Sequence, residues 1–268
     1  PFSPSCAASP SRAARSCCEG RPQWPSSYRG AADETPRDGY AGLSAAAATV
    51  TDVALSNERM VWIDCEMTGL SLTDDALIEV AVLVTDDQLN VLGDGVDVVI
   101  RPPEGALEQM GDFVRNMHVE SGLLEELPSG TSMEEAQQQV LDYIRTWVPE
   151  PGKAPLAGNS VGTDRTFLVR DMPEVVEHLH YRIIDVSTIK ELSRRWFPRA
   201  YFQSPDKTGN HRALGDIKDS IDELRYYREA VFVDDPGPSS DQAREAASRV
   251  VAARRLAEQS GSQDEPED

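Results

Sequence analysis

The chain has 268 residues, 46 acidic against 26 basic, for a formal net charge of -20. A hydrophobic content of 40% supports a real core and excludes wholesale disorder, and no run approaches the roughly 18 apolar residues needed to span a bilayer. The acidity excludes coating of long nucleic acid, which depends on many Lys/Arg contacts to phosphate; a small anionic substrate handled through a cation stays open.

Composition divides the chain in three. Residues 1–58 are rich in Ala, Ser and Pro, lack periodicity and carry 6 acids against 5 bases, which reads as a low-complexity, disordered leader. Residues 233–268 carry 9 acids against 4 bases and read as a flexible acidic tail, with a marginal solvated helix over 244–258. The middle, 59–232, therefore holds -14 of the charge and is the folded domain. Of the four cysteines, Cys6, Cys17 and Cys18 lie in the leader without a CxxC spacing, far from His118, His178, His180 and His211, so neither a zinc module nor a disulfide framework is expected. Cys65, inside an apolar strand, reads as a reduced buried thiol. These features point to a cytoplasmic protein. The Arg- and Ser-rich first 31 residues leave mitochondrial import as the alternative if they form a genuine transit peptide; a leader appended ahead of Met60 is the other reading.

In chain order, Met60–Glu66 reads as a buried strand ending in acids, Ala76–Thr85 as a second, and Val91–Arg101 as a third after a turn at Gln88-Leu89-Asn90. Glu134–Val148 spaces Val140, Ile144, Trp147 and Val148 as one helical face. Ala154–Ala157 is a short strand, followed by Gly158-Asn159-Ser160 and a helix over Val161–Met172. Arg182–Asp185 is a fifth strand, followed by a helix over Ser187–Trp196. Finally Ala213–Val231 places Leu214, Ile217, Ile221 and Leu224 on one stripe. Three strands followed by β-α alternation predict an α/β domain with a mixed five-stranded sheet flanked by helices.

Asp64 and Glu66 are two apart on a strand, so both side chains leave one face. Two such carboxylates call for a divalent cation with oxygen ligands, or else point into water at a strand end. Asp164 falls in the first turn of its helix, where the helix dipole alone suffices to explain it. His211 and Asp216 are five apart, about 140° around an ideal helix, so they meet at one site only if His211 precedes the helix. There His211 is either a general base, with an ordinary pKa of about 6.5, or a surface histidine.

The segments WIDCEMTGL, GNSVGTDRTFL, HYRIIDVSTIKEL and HRALGDIKDSIDELRYYRE resemble, in order, the oligoribonuclease family, a branch of the DEDDh 3′→5′ exonucleases with a ribonuclease-H-like fold. The likeness covers about Arg59 to Phe232, and wording such as PGKAPL and RWFPRAYF is similar to actinobacterial members. The resemblance implies that Asp64, Glu66, Asp164 and Asp216 hold two Mg2+ or Mn2+ ions and that His211 activates the attacking water. It implies short RNA substrates, two to five nucleotides and dinucleotides above all, cut to 5′-mononucleotides. Leu70 then corresponds to a wedge against the bases, and Phe113 stands where many relatives have Trp. Met67 and His118 fall in blocks lining the nucleotide pocket. Ser160, Tyr181, Arg182, Ser187 and Thr188 match positions that close over the 5′ phosphate, with Tyr181 and Arg182 coming from the partner subunit of a homodimer. Read without the resemblance, Leu70 and Met67 are also plausible core, Phe113 a buried aromatic, Ser187 an N-cap and Tyr181 a strand-edge residue. Two other functions compete: a general DEDDh exonuclease on longer RNA or DNA 3′ ends, and a non-catalytic sensor of short nucleotides. His178 and His180 lack companion ligands and read as structural or interfacial.

Overall fold

A computed structural model describes residues 58–207, 211–234 and 236–261. The expected leader up to residue 57, with Cys6, Cys17 and Cys18, lies outside the described residues, as does Gly209-Asn210 ahead of His211. The strands are β1 (Met60–Met67), β2 (Leu77–Thr85), β3 (Val91–Val99), β4 (Pro155–Gly158) and β5 (His180–Asp185). Between β3 and β4 run α1 (Asp112–Glu120), α2 (Leu123–Glu126), a 3-10 turn and α3 (Met133–Trp147). The helices α4 (Gly162–Asp171) and α5 (Pro173–His178) join β4 to β5, and α6 (Val186–Trp196), α7 (Pro198–Tyr201), α8 (Ala213–Ala230) and α9 (Ser240–Gly261) follow.

The sheet order is β3-β2-β1-β4-β5, with β1 antiparallel to β2 and parallel to β4, so the mixed α/β architecture is as the strand pattern predicts. Every residue of β2 is buried because helices cover both faces of the sheet. On one face, Val61, Ile63 and Cys65 of β1 pack with Val140, Leu141 and Ile144 of α3 and Leu168 of α4. On the other, Trp62 packs with Ala81 and Leu83 of β2 and with Ile217, Ile221 and Leu224 of α8. Strand alternation then turns Asp64 and Glu66 toward the α8 side, in line with Trp62. A hydrogen bond from Trp62 Nε1 to Thr85 Oγ1 (3.0 Å) satisfies the one polar atom that this side chain buries.

Differences from the periodicity reading have local causes. β3 stops at Val99, because Ile100 bridges to Thr131 instead. α3 starts at a full capping box between Ser132 and Glu135. α1 escapes detection because the only residue it buries is His118, so it shows no apolar stripe. α9 is longer than 244–258 and leaves Val250 and Leu256 exposed; ion pairs Glu245–Arg249 (3.0 Å) and Arg254–Glu258 (3.7 Å), each one turn apart, support it.

Candidate active site

The acidic centre is built at the C-terminal end of β1. Register pairs Asp64 with Ala81 and Glu66 with Glu79, and an irregularity between Glu66 and Met67 ends the regular ladder there. α8 crosses this face and brings Asp216 in its first turn. Carboxylate oxygens of Asp64, Glu66 and Asp216 all lie within 4.8 Å of one another. Asp164 approaches from α4: its Oδ1 accepts the Cys65 backbone N–H at 3.1 Å, which fixes it beside the same strand but outside that closest trio. Gly158, at the end of β4, packs close against β1: a Cβ there would stand 3.1 Å from the Ile63 carbonyl oxygen. His211 lies two residues ahead of α8, exposed, with φ at 48°, so it shares the turn that starts the helix rather than the helix itself.

Burial is the main reason these carboxyls hold protons more tightly than usual. Glu66 is pushed up to about 8 by burial, then by Glu79 and Asp216. Asp164 rises to about 6, also by burial, against the two backbone N–H groups it accepts from. Asp64 is raised well above its ordinary value by burial and by Asp164, Glu66 and Asp216. Asp216 is raised by burial, with Lys207 and His211 opposing. Clustered carboxylate oxygens whose charges are unbalanced are hard donors suited to a divalent cation such as Mg2+, Mn2+ or Ca2+, and the absence of thiolate from the set disfavours a softer ion.

A stability test follows from the sign of these shifts. A carboxyl with a raised folded-state pKa binds its proton more tightly in the native than in the unfolded state, so metal-free stability falls as pH rises from about 4.5 to about 8, the window set by Glu66. A bound cation removes that penalty. The melting temperature of metal-free protein should drop between pH 5 and pH 8. MgCl2 or MnCl2 should restore it more at pH 8 than at pH 5. At about a hundredfold Kd the gain is about 2.7 kcal/mol, or roughly 5–10 °C for a domain of this size. A cation effect independent of pH would show that the ion binds elsewhere.

The residues matched to the nucleotide pocket separate in the structure. Leu70 is 75% exposed and Phe113 83% exposed, so neither is core. Leu70 rides on a braced loop: Asp75 accepts from Thr68 Oγ1 (3.0 Å) and Ser71 N–H (2.8 Å), and a side chain at Gly69 would collide with the Asp75 carboxylate at 2.4 Å. Met67 packs partly against the core. His118 departs from the expectation that it lines the pocket. It is 0% exposed, its Nε2 is bonded to the Met67 carbonyl (3.0 Å), and its Nδ1 stands 4.0 Å from Glu66 Oε2, so it braces the end of β1 from behind.

At the ends of β4 and β5, Ser160 and Ser187 hydroxyls lie 3.1 Å apart, and Ser160 takes the left-handed conformation with φ at 54°. Asp185, not Ser187, caps α6: its Oδ1 accepts from Ser187 N–H (2.9 Å) and Ser160 N–H (3.0 Å), which leaves the Ser187 hydroxyl for other work. Thr188 is exposed beside it. Asn159 holds the group from beneath, accepting from Ser187 Oγ (3.0 Å) and donating to Ser220 (2.9 Å) and Glu223 (3.0 Å). Tyr181, 73% exposed, and Arg182, over its ring at 5.5 Å, project from the edge strand β5. The two neighbouring histidines are structural: His178 is buried on the Val148 carbonyl (2.8 Å), and His180 Nδ1 accepts the Arg182 N–H (3.1 Å). Asp75, Asn159, Asp185 and Glu79 were not singled out from the sequence, since lone acids and amides carry no periodic signal.

Fold and site together define an exonuclease of the ribonuclease-H-like class. The family model described as Exonuclease matches residues 61–224. The Escherichia coli exonuclease I complex with single-stranded DNA, in its zinc-bound form, superimposes with a TM-score of 0.51 at 14% identity, over 65% of this chain and 41% of that one. The chain thus spans less than half of that enzyme, and the likeness shows the fold alone. The oligoribonucleases of Streptomyces griseus and Streptomyces coelicolor are each 70% identical, over 73% and 74% of this chain and 98% and 99% of theirs. That of Cutibacterium acnes is 62% identical over 71% of this chain and 94% of its own. The chain belongs to the oligoribonuclease family.

Proposed function

We propose that the protein is a two-metal 3′→5′ exoribonuclease that hydrolyses oligoribonucleotides of two to five nucleotides, dinucleotides above all, to 5′-mononucleotides. The observation that carries this reading is the meeting of Asp64, Glu66 and Asp216 within 4.8 Å at the strand end; Leu70 and Phe113 are large apolar side chains left in solvent. Asp64, Glu66, Asp164 and Asp216 would hold two Mg2+ or Mn2+ ions, which would supply charge stabilisation to a phosphoryl displacement. His211 accepts the proton of the attacking water; the oxygen adds to phosphorus, the P–O3′ bond breaks, the O3′ left on the upstream nucleotide takes up a proton from solvent, and the 3′ nucleotide departs with its phosphate. Leu70 and Phe113 orient the bases, with Met67 behind them. Ser160, Ser187 and Thr188 hold the 5′ phosphate through their hydroxyls at the start of α6. The exposed edge of β5 supports a homodimer in which Tyr181 and Arg182 of the partner subunit complete that phosphate cap.

The working unit is proposed to be 59–232, with 1–58 and 233–268 as extensions, acting in the cytoplasm. Among the described residues no helix is long and apolar enough to cross a membrane, and the relatives named above are bacterial, which gives the mitochondrial alternative no support.

The test is hydrolysis of a labelled RNA dinucleotide with Mg2+, with Mn2+ and with EDTA. Mononucleotide formation stopped by EDTA is expected; binding without any cleavage would favour the sensor. Phe113→Ala isolates stacking. A base on an aromatic ring is worth about 1–3 kcal/mol, so KM should rise about tenfold while kcat holds within about threefold. An unchanged KM would remove Phe113 from the substrate surface.

A further inference from the structure

We propose that Arg212 is a positioning residue for hydrolysis, a clamp that sets His211 and the first turn of α8 against the acidic cluster. The proposal rests on the reading of His211 and Asp216 given above. Arg212 Nε donates to Glu79 Oε1 at 2.7 Å, and its two terminal nitrogens donate to both oxygens of Glu126 at 2.8 and 3.0 Å. Glu79 Oε2 also accepts the Ala213 N–H at 3.1 Å, so one carboxylate holds the guanidinium and an otherwise uncapped donor of the helix.

Three elements therefore converge on one side chain. Glu79 lies on β2, directly across the ladder from Glu66, and is fully buried. Glu126 ends α2, which follows the helix that carries Phe113 and His118. Arg212 itself is extended (φ -125°, ψ 131°) and joins His211, at φ 48°, to α8. A non-glycine residue in the left-handed region is held there only when its surroundings over-determine it, and Arg212 is the first anchored residue after that turn. A buried Arg–Glu pair contributes little net stability compared with apolar residues of the same size. A planar fork gripping two carboxylates does fix direction, which a lysine cannot reproduce. The clamp thus ties the imidazole and the Asp216 turn to β2, at the position paired with Glu66 of β1, and ties both to the helix pair that carries Phe113.

The test is a mutant cycle on dinucleotide hydrolysis by the full chain, comparing wild type, Arg212→Lys, His211→Ala and the double variant. Misplacement by about 1 Å costs about 10²-fold in rate, so Arg212→Lys should lower kcat by about that factor while KM holds within about threefold. In the His211→Ala background the same change should cost no more than about tenfold, because only the Asp216 turn is then left for it to position. Equal losses in both backgrounds, or a change in KM alone, would overturn the clamp. If Arg212→Lys loses its native circular dichroism, Glu126→Gln, on the exposed side of the clamp, takes its place, with about a tenfold loss in kcat and the same non-additivity; unchanged kcat there would also overturn it. His211→Ala with wild-type kcat would instead sink the reading of His211 as the base.

Discussion

Asp216→Ala should reduce cleavage of an RNA dinucleotide by at least about 10²–10³-fold, the scale for removing one preorganised stabiliser of a developing charge. Asp216 is the member of the acidic trio contributed by α8 rather than β1, so its loss leaves the sheet core untouched and opens the cluster. Burial and like charges raise Asp64, Glu66 and Asp216 together, so the deletion also relieves repulsion. Metal-free Asp216→Ala should therefore melt no lower than wild type at pH 8, while the rise in melting temperature on adding MgCl2 or MnCl2 shrinks. Thermal melts with and without cation, set beside single-turnover rates, check both halves. A variant that loses activity but keeps the full cation response would place the ion away from Asp216.

A labelled dinucleotide should be hydrolysed at least about 100-fold faster than a strand of about twenty nucleotides, measured as kcat/KM under the same Mg2+ or Mn2+. A terminal phosphate held by two charge-assisted hydrogen bonds gains about 3 kcal/mol, which is two orders of magnitude. Ser160 and Ser187 stand 3.1 Å apart on a rigid frame of Asp185 and Asn159, which suits a chain end better than a continuing strand. The charge of -14 over 59–232 adds repulsion that grows with phosphate number. Ser187→Ala should narrow the preference, chiefly by slowing the dinucleotide. Equal or faster attack on the long strand would assign the protein to the general exonucleases and leave the serine pair without a role in length selection.

Much of the scaffold was legible before any coordinates. The strands follow from short apolar runs, the α8 stripe from the 3.6-residue period and the shared face of Asp64 and Glu66 from the two-residue period, all of which neighbours in sequence carry by themselves. Helix geometry required His211 to precede α8 if it is to share a site with Asp216, and it lies two residues ahead of that helix. The four ordered blocks named the family, though not what each matched side chain touches. His118 shows the difference: its block borders the pocket, yet the ring is buried behind Glu66 and Met67. Ser187 shows it again, since Asp185 takes the capping role that its position at the helix start advertised.

What the sequence determined alone, then, was the local order of strands and helices, the segregation of charge into the middle of the chain and the set of carboxylates available to one site. The tertiary structure decided which of them meet. Cys65 N–H finds Asp164 across 99 residues, and Arg212 finds Glu79 and Glu126 across 133 and 86. It also decided that Leu70 and Phe113 stay in solvent while Glu79 is buried. The reason is physical: periodicity records only which face a residue shares with its near neighbours, whereas these pairings are created when β1 is placed between an antiparallel and a parallel neighbour and α8 is laid across it.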